Sequence, residues 1–131
     1  MIRYLKNIEL SLDDIVRVLD SSTINRPTKD LPRIKRMFAN ANLIISAWDK
    51  DQLVGLCRAL TDFSYCCYLS DMAVDIEYQQ QGIGTRMIEE IKTAIGEDAS
   101  LILLSAPASM AYYPKVGFEK IENGYRIQRK K

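Results

Sequence analysis

Apolar positions along the chain change their spacing several times, and each change marks an element. Residues 2–5 form a short run suited to an edge strand. From Ser11 the spacing becomes helical. Ser11 supplies a capping hydroxyl, Asp13 and Asp14 place acids in the first turn, and Ile15, Val16 and Leu19 form one apolar face. Residues 21–27 are a polar connection. Asp30 then caps a second helix that carries Pro32 in its first turn, shows Ile34, Met37 and Phe38 on one side, and runs to Asn40.

Residues 43–48 and 53–60, joined by Asp49-Lys50-Asp51-Gln52, read as an antiparallel hairpin, and a third strand is expected over 66–74. Beyond it, Ile83, Met87, Ile88, Ile91, Ala94 and Ile95 recur as a helical stripe that starts at Gly82-Ile83-Gly84 and stops at Gly96. Residues 100–105 are almost unbroken apolar, which predicts a strand buried on both faces beside a parallel neighbour. Strand, helix and strand together make a βαβ unit. A short helix over 108–113 and a final hairpin, 118–122 with 125–128 about Asn123-Gly124, complete the expected order. With no internal repeat and no linker, residues 1–131 read as a single α/β domain built on a mixed sheet.

Charge does little to direct this fold toward a polyanion. There are 18 Lys and Arg against 17 Asp and Glu, a formal net charge of +1, so neither nucleic acid nor a membrane surface is an expected partner. The three cysteines, Cys57, Cys66 and Cys67, are odd in number and two are adjacent, a poor disulfide framework that points to a reducing, cytoplasmic setting. No stretch resembles a signal peptide or a membrane span. The chain has no histidine, which excludes Ser-His-Asp and Cys-His nucleophile pairs and the usual histidine zinc sites, and no metal is expected. Proton transfer is left to carboxylates, Tyr, Lys, Cys or water.

The segment Asp75-Ile76-Glu77-Tyr78-Gln79-Gln80-Gln81-Gly82-Ile83-Gly84-Thr85 lies between a strand and a helix. There the first free N–H groups of the helix and the positive end of its dipole can hold an anion. Gly82 and Gly84 permit unusual dihedrals and close approach of a phosphate to the backbone. The Lys-Ser/Thr ending of a nucleotide triphosphate loop and the third Gly of a dinucleotide fingerprint are both missing.

Taken with its surroundings, this segment resembles the pyrophosphate motif Gln/Arg-x-x-Gly-x-Gly/Ala of the GNAT superfamily of acyl-CoA-dependent N-acetyltransferases, matched by Gln79-Gln80-Gln81-Gly82-Ile83-Gly84. A second family feature, a Tyr shortly before Gly-Phe, is matched by Tyr112-Tyr113-Pro114-Lys115-Val116-Gly117-Phe118, and the order of elements agrees over nearly the whole chain. The resemblance implies a central mixed sheet with splayed strands and acetyl-CoA as cosubstrate. Main-chain groups of Met72, Ala73 and Val74 would meet the pantetheine arm. Gln79 would open the motif, and Gln80, Gln81, Gly82, Ile83, Gly84 and Thr85 would wrap the pyrophosphate, with Arg86 near a phosphate. A bulge near the end of the third strand would set an N–H beside the thioester oxygen. Tyr113 would be the acid that protonates the departing thiolate. Many relatives place Asn seven residues and Ala four residues before that Tyr, whereas this chain has Ala106 and Ser109 at those cofactor-side positions.

The base that deprotonates the amine is open: Asp71 in the third strand comes first, with Asp75, Glu77, Asp62 or a water as alternatives. Arg26, Lys29, Arg33, Lys35 and Arg36 gather around the second helix, as a solvated face or as selectors of an acidic acceptor. Cys66 and Cys67 read as small apolar residues on opposite faces of a strand, and Glu89 and Lys92 as a helical ion pair. The expected activity is acetyl transfer from acetyl-CoA to a small-molecule or peptide amine by direct attack, in a possible homodimer. A noncatalytic acyl-CoA-binding domain of the same fold is the alternative.

Overall fold

The computed structural model describes residues 1–131 and shows a five-stranded sheet in the order β1-β2-β3-β4-β5. Strands β1 (Ile2–Lys6), β2 (Leu43–Asp49), β3 (Gln52–Thr61) and β4 (Cys66–Val74) are antiparallel in succession, and β5 (Ser100–Leu103) runs parallel to β4. The helices are α1 (Leu12–Ser22), α2 (Leu31–Ala39), α3 (Ile83–Ile95) and the single turn α4 (Tyr112–Lys115). Both early helices start at the expected caps. The Ser11 hydroxyl accepts from the Asp14 N–H at 3.1 Å, and the Asp30 carboxylate accepts from the Arg33 N–H at 3.2 Å.

The sheet separates two apolar layers. On one face Ile83, Met87, Ile91 and Ile95 of α3 pack with Ile45, Val54, Cys57, Cys67 and Leu69. On the other, Ile15, Val18 and Leu19 of α1 and Ile34 of α2 pack with Leu53, Leu56 and Ala73. Gly55 lets α3 come close to the sheet: a Cβ there would lie 3.2 Å from Met87 Cε and 3.3 Å from Ile83 Cγ2.

Strand β4 is bulged. Arg58 faces Asp71 and Ala59 faces Leu69, so Ser70 has no opposite residue on β3. The extra residue reverses which side chains meet which layer. Before it, Cys67 and Leu69 face α3; after it, Met72 and Val74 do, and Ala73 joins the α1 and α2 layer.

Three expectations fail near the C-terminus. β5 ends at Leu103 and is covered on one face only, leaving Ile102 and Leu104 largely exposed, because no helix lies over its other face. The helix expected over 108–113 is instead a 3-10 turn, Pro107–Ser109, followed by α4. The final hairpin does not form: residues 118–131 carry no strand, and Tyr125 and Ile127 are almost fully exposed. A two-stranded hairpin is marginal without a layer to cover it, and this one has none. The ion pair on α3 also differs. Arg86 pairs with Glu90 at 3.3 Å, in place of Glu89 with Lys92.

Two predictions follow from this packing. Gly55→Val should destabilise the fold by about 1–3 kcal/mol through overpacking against α3, read as a lower urea midpoint at unchanged slope. Asp62, in the β3–β4 turn, accepts from the N–H groups of Cys66 (3.0 Å), Ser64 (2.9 Å) and Tyr65 (2.8 Å), which hold its carboxyl at about 2, below the usual carboxylate range. With its folded value depressed, the stabilisation from this carboxylate is complete above the unfolded value and fades as pH falls through about 2. Carbon-detected NMR titration should place Asp62 there, and Asp62→Asn should abolish that acid-side dependence.

Candidate functional site

The strands part at the bulge. β4 pairs with β5 only from Cys66 to Leu69, against Ser100 to Leu103, and then continues to Val74 beside β3 alone. A wedge therefore opens between residues 70–74 and 104–106. Its upper end is the turn into α3.

That turn exposes unpaired backbone at the start of α3. Asp75 caps the 3-10 turn Ile76–Tyr78 by accepting from the Glu77 N–H at 3.0 Å, and the Ile76 N–H donates to the Ser21 hydroxyl at 3.1 Å. Tyr78 donates to the Asp49 carboxylate at 2.6 Å, a bond that pushes the phenol up in pKa and ties the segment to the β2–β3 turn. Gln79 turns its amide back onto the Val74 carbonyl at 3.0 Å, and exposed Gln80 is left-handed at φ 63°. Gly82 is left-handed at φ 84° with nothing within 4 Å of a built Cβ, and α3 begins there with no side-chain cap. The first N–H groups of a 13-residue helix are thus left without a side-chain partner. Gly84 keeps the wall of this cradle thin, since a Cβ would lie 3.4 Å from Tyr112 Oη and 3.5 Å from Met72 Cε.

Both adjacent tyrosines are half-buried beside the wedge, and they do different things. Tyr112 Oη lies 2.9 Å from Thr85 Oγ1, joining α4 to the first turn of α3. Tyr113 packs edge-on against Tyr112 and Phe118, with ring centroids 5.2 and 5.4 Å away. Burial pushes its hydroxyl above the ordinary phenol range; Cys57 and Tyr112 act in the same sense, and Arg26 acts against them. At pH 7 this phenol is a proton donor. Sequence reading did not single out Tyr112, whose only signal was its position beside a better-known residue.

The bulge itself is clamped. Asp71 is fully buried, and its two oxygens accept from Arg26 Nε and Arg58 Nε, each at 2.5 Å. The second nitrogens of the same guanidiniums reach Ser70: Arg26 Nη2 donates to its carbonyl at 2.7 Å, and Arg58 Nη2 to its hydroxyl at 2.9 Å. Phe38 of α2 lies over Arg58, 5.6 Å from the ring centroid. Neither Arg58 nor Ser70 was expected in the site, because nothing in their local sequence reports a bulge. Arg26 was expected only as part of a basic surface.

The remaining candidates spread out. Ala73 is buried in the α1 and α2 layer, while Met72 and Val74 face α3. Gln81 is exposed, with a long contact of 3.5 Å to the Glu77 carbonyl, and Ile83 is buried under α3. The Arg86 guanidinium is held by Glu90 and lies 4.8 Å from the Tyr4 ring centroid, on the β1 side of α3. The Ala106 carbonyl accepts from the Ser109 N–H at 2.9 Å and the Ser105 hydroxyl at 2.8 Å, closing the loop below α4. Asp75 is held by Arg17 at 3.5 Å, and Glu77 is exposed.

Comparison with known proteins gives this geometry a family. Residues 21–129 match the family model described as an acetyltransferase (GNAT) domain. The uncharacterized N-acetyltransferase ycf52 of Pyropia yezoensis is 26% identical over 92% of this chain and 71% of its own length. A probable acetyltransferase from Staphylococcus aureus superposes with a TM-score of 0.82 at 24% identity, over 98% of this chain and 100% of its own. An aminoglycoside N-acetyltransferase in complex with CoA shares the fold with a TM-score of 0.74 at 13% identity, over 99% and 95%. No helix of this chain is long and apolar enough to cross a membrane. With that family model matching most of its length, the chain belongs to the GNAT family of N-acetyltransferases.

Proposed function

We propose that the protein binds acetyl-CoA in the wedge between β4 and β5 and passes the acetyl group directly to an amine acceptor. The observation that carries this reading is the uncapped N-terminus of α3 behind the left-handed Gly82, set at the end of that wedge. Charge and hydrogen-bond capacity there fit a pyrophosphate. The aminoglycoside N-acetyltransferase of the same fold holds CoA, in keeping with this choice.

In this reading Gln80, Gln81, Gly82, Ile83, Gly84 and Thr85 surround the pyrophosphate, and Gln79 and Tyr112 line its approach. The main chain of Met72, Ala73 and Val74 receives the pantetheine arm, which requires the Gln79 amide to leave the Val74 carbonyl. Ala106 and Ser109 flank the arm from the far side, and Arg86 stays at the outer rim. The bulged main chain of β4 offers a donor to the thioester oxygen, where charge grows only as the amine attacks. Tyr113 protonates the departing thiolate. Its raised pKa keeps it in the acid form throughout the neutral range.

Three of the four carboxylates that are candidates to take the amine proton are engaged elsewhere, and the fourth, Glu77, is exposed on the 3-10 turn. Both Asp71 oxygens are engaged by arginines, Asp75 caps a turn and pairs with Arg17, and Asp62 holds the β3–β4 turn. We assign that proton to water and give Asp71 a supporting role. The acceptor is a small-molecule or peptide amine. With Arg26 drawn into the clamp, only Lys29, Arg33, Lys35 and Arg36 remain to attract an acidic one. Three free cysteines accord with a reducing, cytoplasmic location.

Calorimetric titration of acetyl-CoA into the wild-type protein and a Gly82→Asp variant tests the site: micromolar-range binding should be lost in the variant, where a carboxylate occupies the anion seat. CoA binding without thiol release across a panel of primary amines would identify a noncatalytic acyl-CoA-binding domain instead. Tyr113→Phe should lower kcat by about 10²–10⁴-fold, the usual contribution of a positioned acid, at unchanged acetyl-CoA affinity. Because the acid form is the active one, wild-type turnover should fall as pH rises through a value above the ordinary phenol range, and the variant should lack that limb.

A further inference from the structure

We infer that Arg26 is a positioning residue for acetyl transfer, which from the α1–α2 connection holds the bulge of β4 in the shape that presents main chain to the thioester carbonyl. This inference rests on the acetyl-CoA reading above. A bulge removes one residue from the ladder, and the polar groups of that residue must find partners elsewhere. Here the unpaired residue is Ser70, and its carbonyl accepts from Arg26 Nη2 at 2.7 Å. The same guanidinium grips Asp71, the next residue, through Nε at 2.5 Å. Arg26 therefore holds two consecutive residues of β4 through one rigid, planar group.

Arg58 does not duplicate this role. It belongs to the neighbouring strand and meets Asp71 and the Ser70 hydroxyl, so it favours the pairing of β3 with β4 without holding the Ser70 carbonyl outside the ladder. Without Arg26 that carbonyl is free to regain a ladder partner. Relaxation of the bulge would re-aim the peptide groups of Ser70 and Asp71 at the thioester end of the wedge, while Met72, Ala73 and Val74 keep their pairing with Cys57, Leu56 and Gly55 of β3. Arg26 also enters the site from the segment between α1 and α2, not from the sheet, so its hold depends on how that connection lies.

The test uses acetyl-CoA labelled with 13C at the thioester carbonyl. In wild-type protein the bound carbonyl stretch should shift to lower frequency than in free acetyl-CoA, reporting a donor at its oxygen. In Arg26→Ala the shift should be lost while calorimetric affinity stays within about twofold, and millimolar methylguanidinium should restore it. Thiol release with any amine that the wild type accepts should fall at least tenfold in kcat, with the KM for acetyl-CoA unchanged. A variant carbonyl shifted as far as in wild type would overturn the inference. Should Arg26→Ala fail to fold, Arg26→Lys keeps a cation on Asp71 but cannot span to the Ser70 carbonyl, and the same two spectra decide. Absence of acetyl-CoA binding by the wild type overturns the cofactor reading itself and this role with it, and is recognised by its appearance without any mutation.

Discussion

A carboxylate with no contact to water is sustainable only when cations and donors replace the solvent it has lost, and Asp71 meets that condition with two guanidiniums. The arrangement links three separate parts of the chain: the α1–α2 connection through Arg26, strand β3 through Arg58, and strand β4 through Asp71 and Ser70. Two positive groups against one negative leave the cluster with a net charge of +1. Of its two cations, Arg26 also acts on Tyr113, opposing the effect of burial on its hydroxyl. Structural support for the bulge and the charge felt by the Tyr113 hydroxyl share one guanidinium.

The bulge follows from this cluster as much as it causes it. An unbroken β4 would point Asp71 toward the apolar layer under α3, beside Leu69 and Cys67, where no cation waits. The extra residue turns Asp71 to the other layer, and the same twist separates β4 from β5 beyond Leu69. Fold stability and the opening of the wedge are therefore not independent demands on the sequence. Gly55 lets α3 sit low on the sheet, and Gly82 supplies the left-handed residue from which the helix starts.

How much of this could be read in advance depends on the range over which the signal acts. Ser11, Asp30 and Gly96 mark helix ends by local chemistry, and the apolar runs of β2 and β3 on either side of a polar turn report a buried hairpin, so those elements appear where the pattern places them. The Gly82 turn is equally local. Ser70 carries no such mark, because a bulge is a relation between two strands and strict alternation hides it. Asp71 looked like a candidate base since its partner Arg26 lies 45 residues away, and no spacing rule spans that distance. The last hairpin shows the reverse error: Asn123-Gly124 has the right turn chemistry, but a turn does not make strands where nothing covers them.

The cysteines carry one more consequence. Cys66 is exposed, whereas Cys57 and Cys67 are sealed in the sheet, and burial, with Asp71 adding to it, pushes the Cys57 thiol far above its ordinary pKa. Thiolate is the form that reacts with alkylating reagents. In the folded molecule one sulfur is open to labelling and two are silent, and the silent ones sit on β3 and β4 to either side of the clamp. The chain thus carries its own clock for the opening of its central strands: the rate at which the second and third thiols take up reagent counts the moments when β3 and β4 come apart.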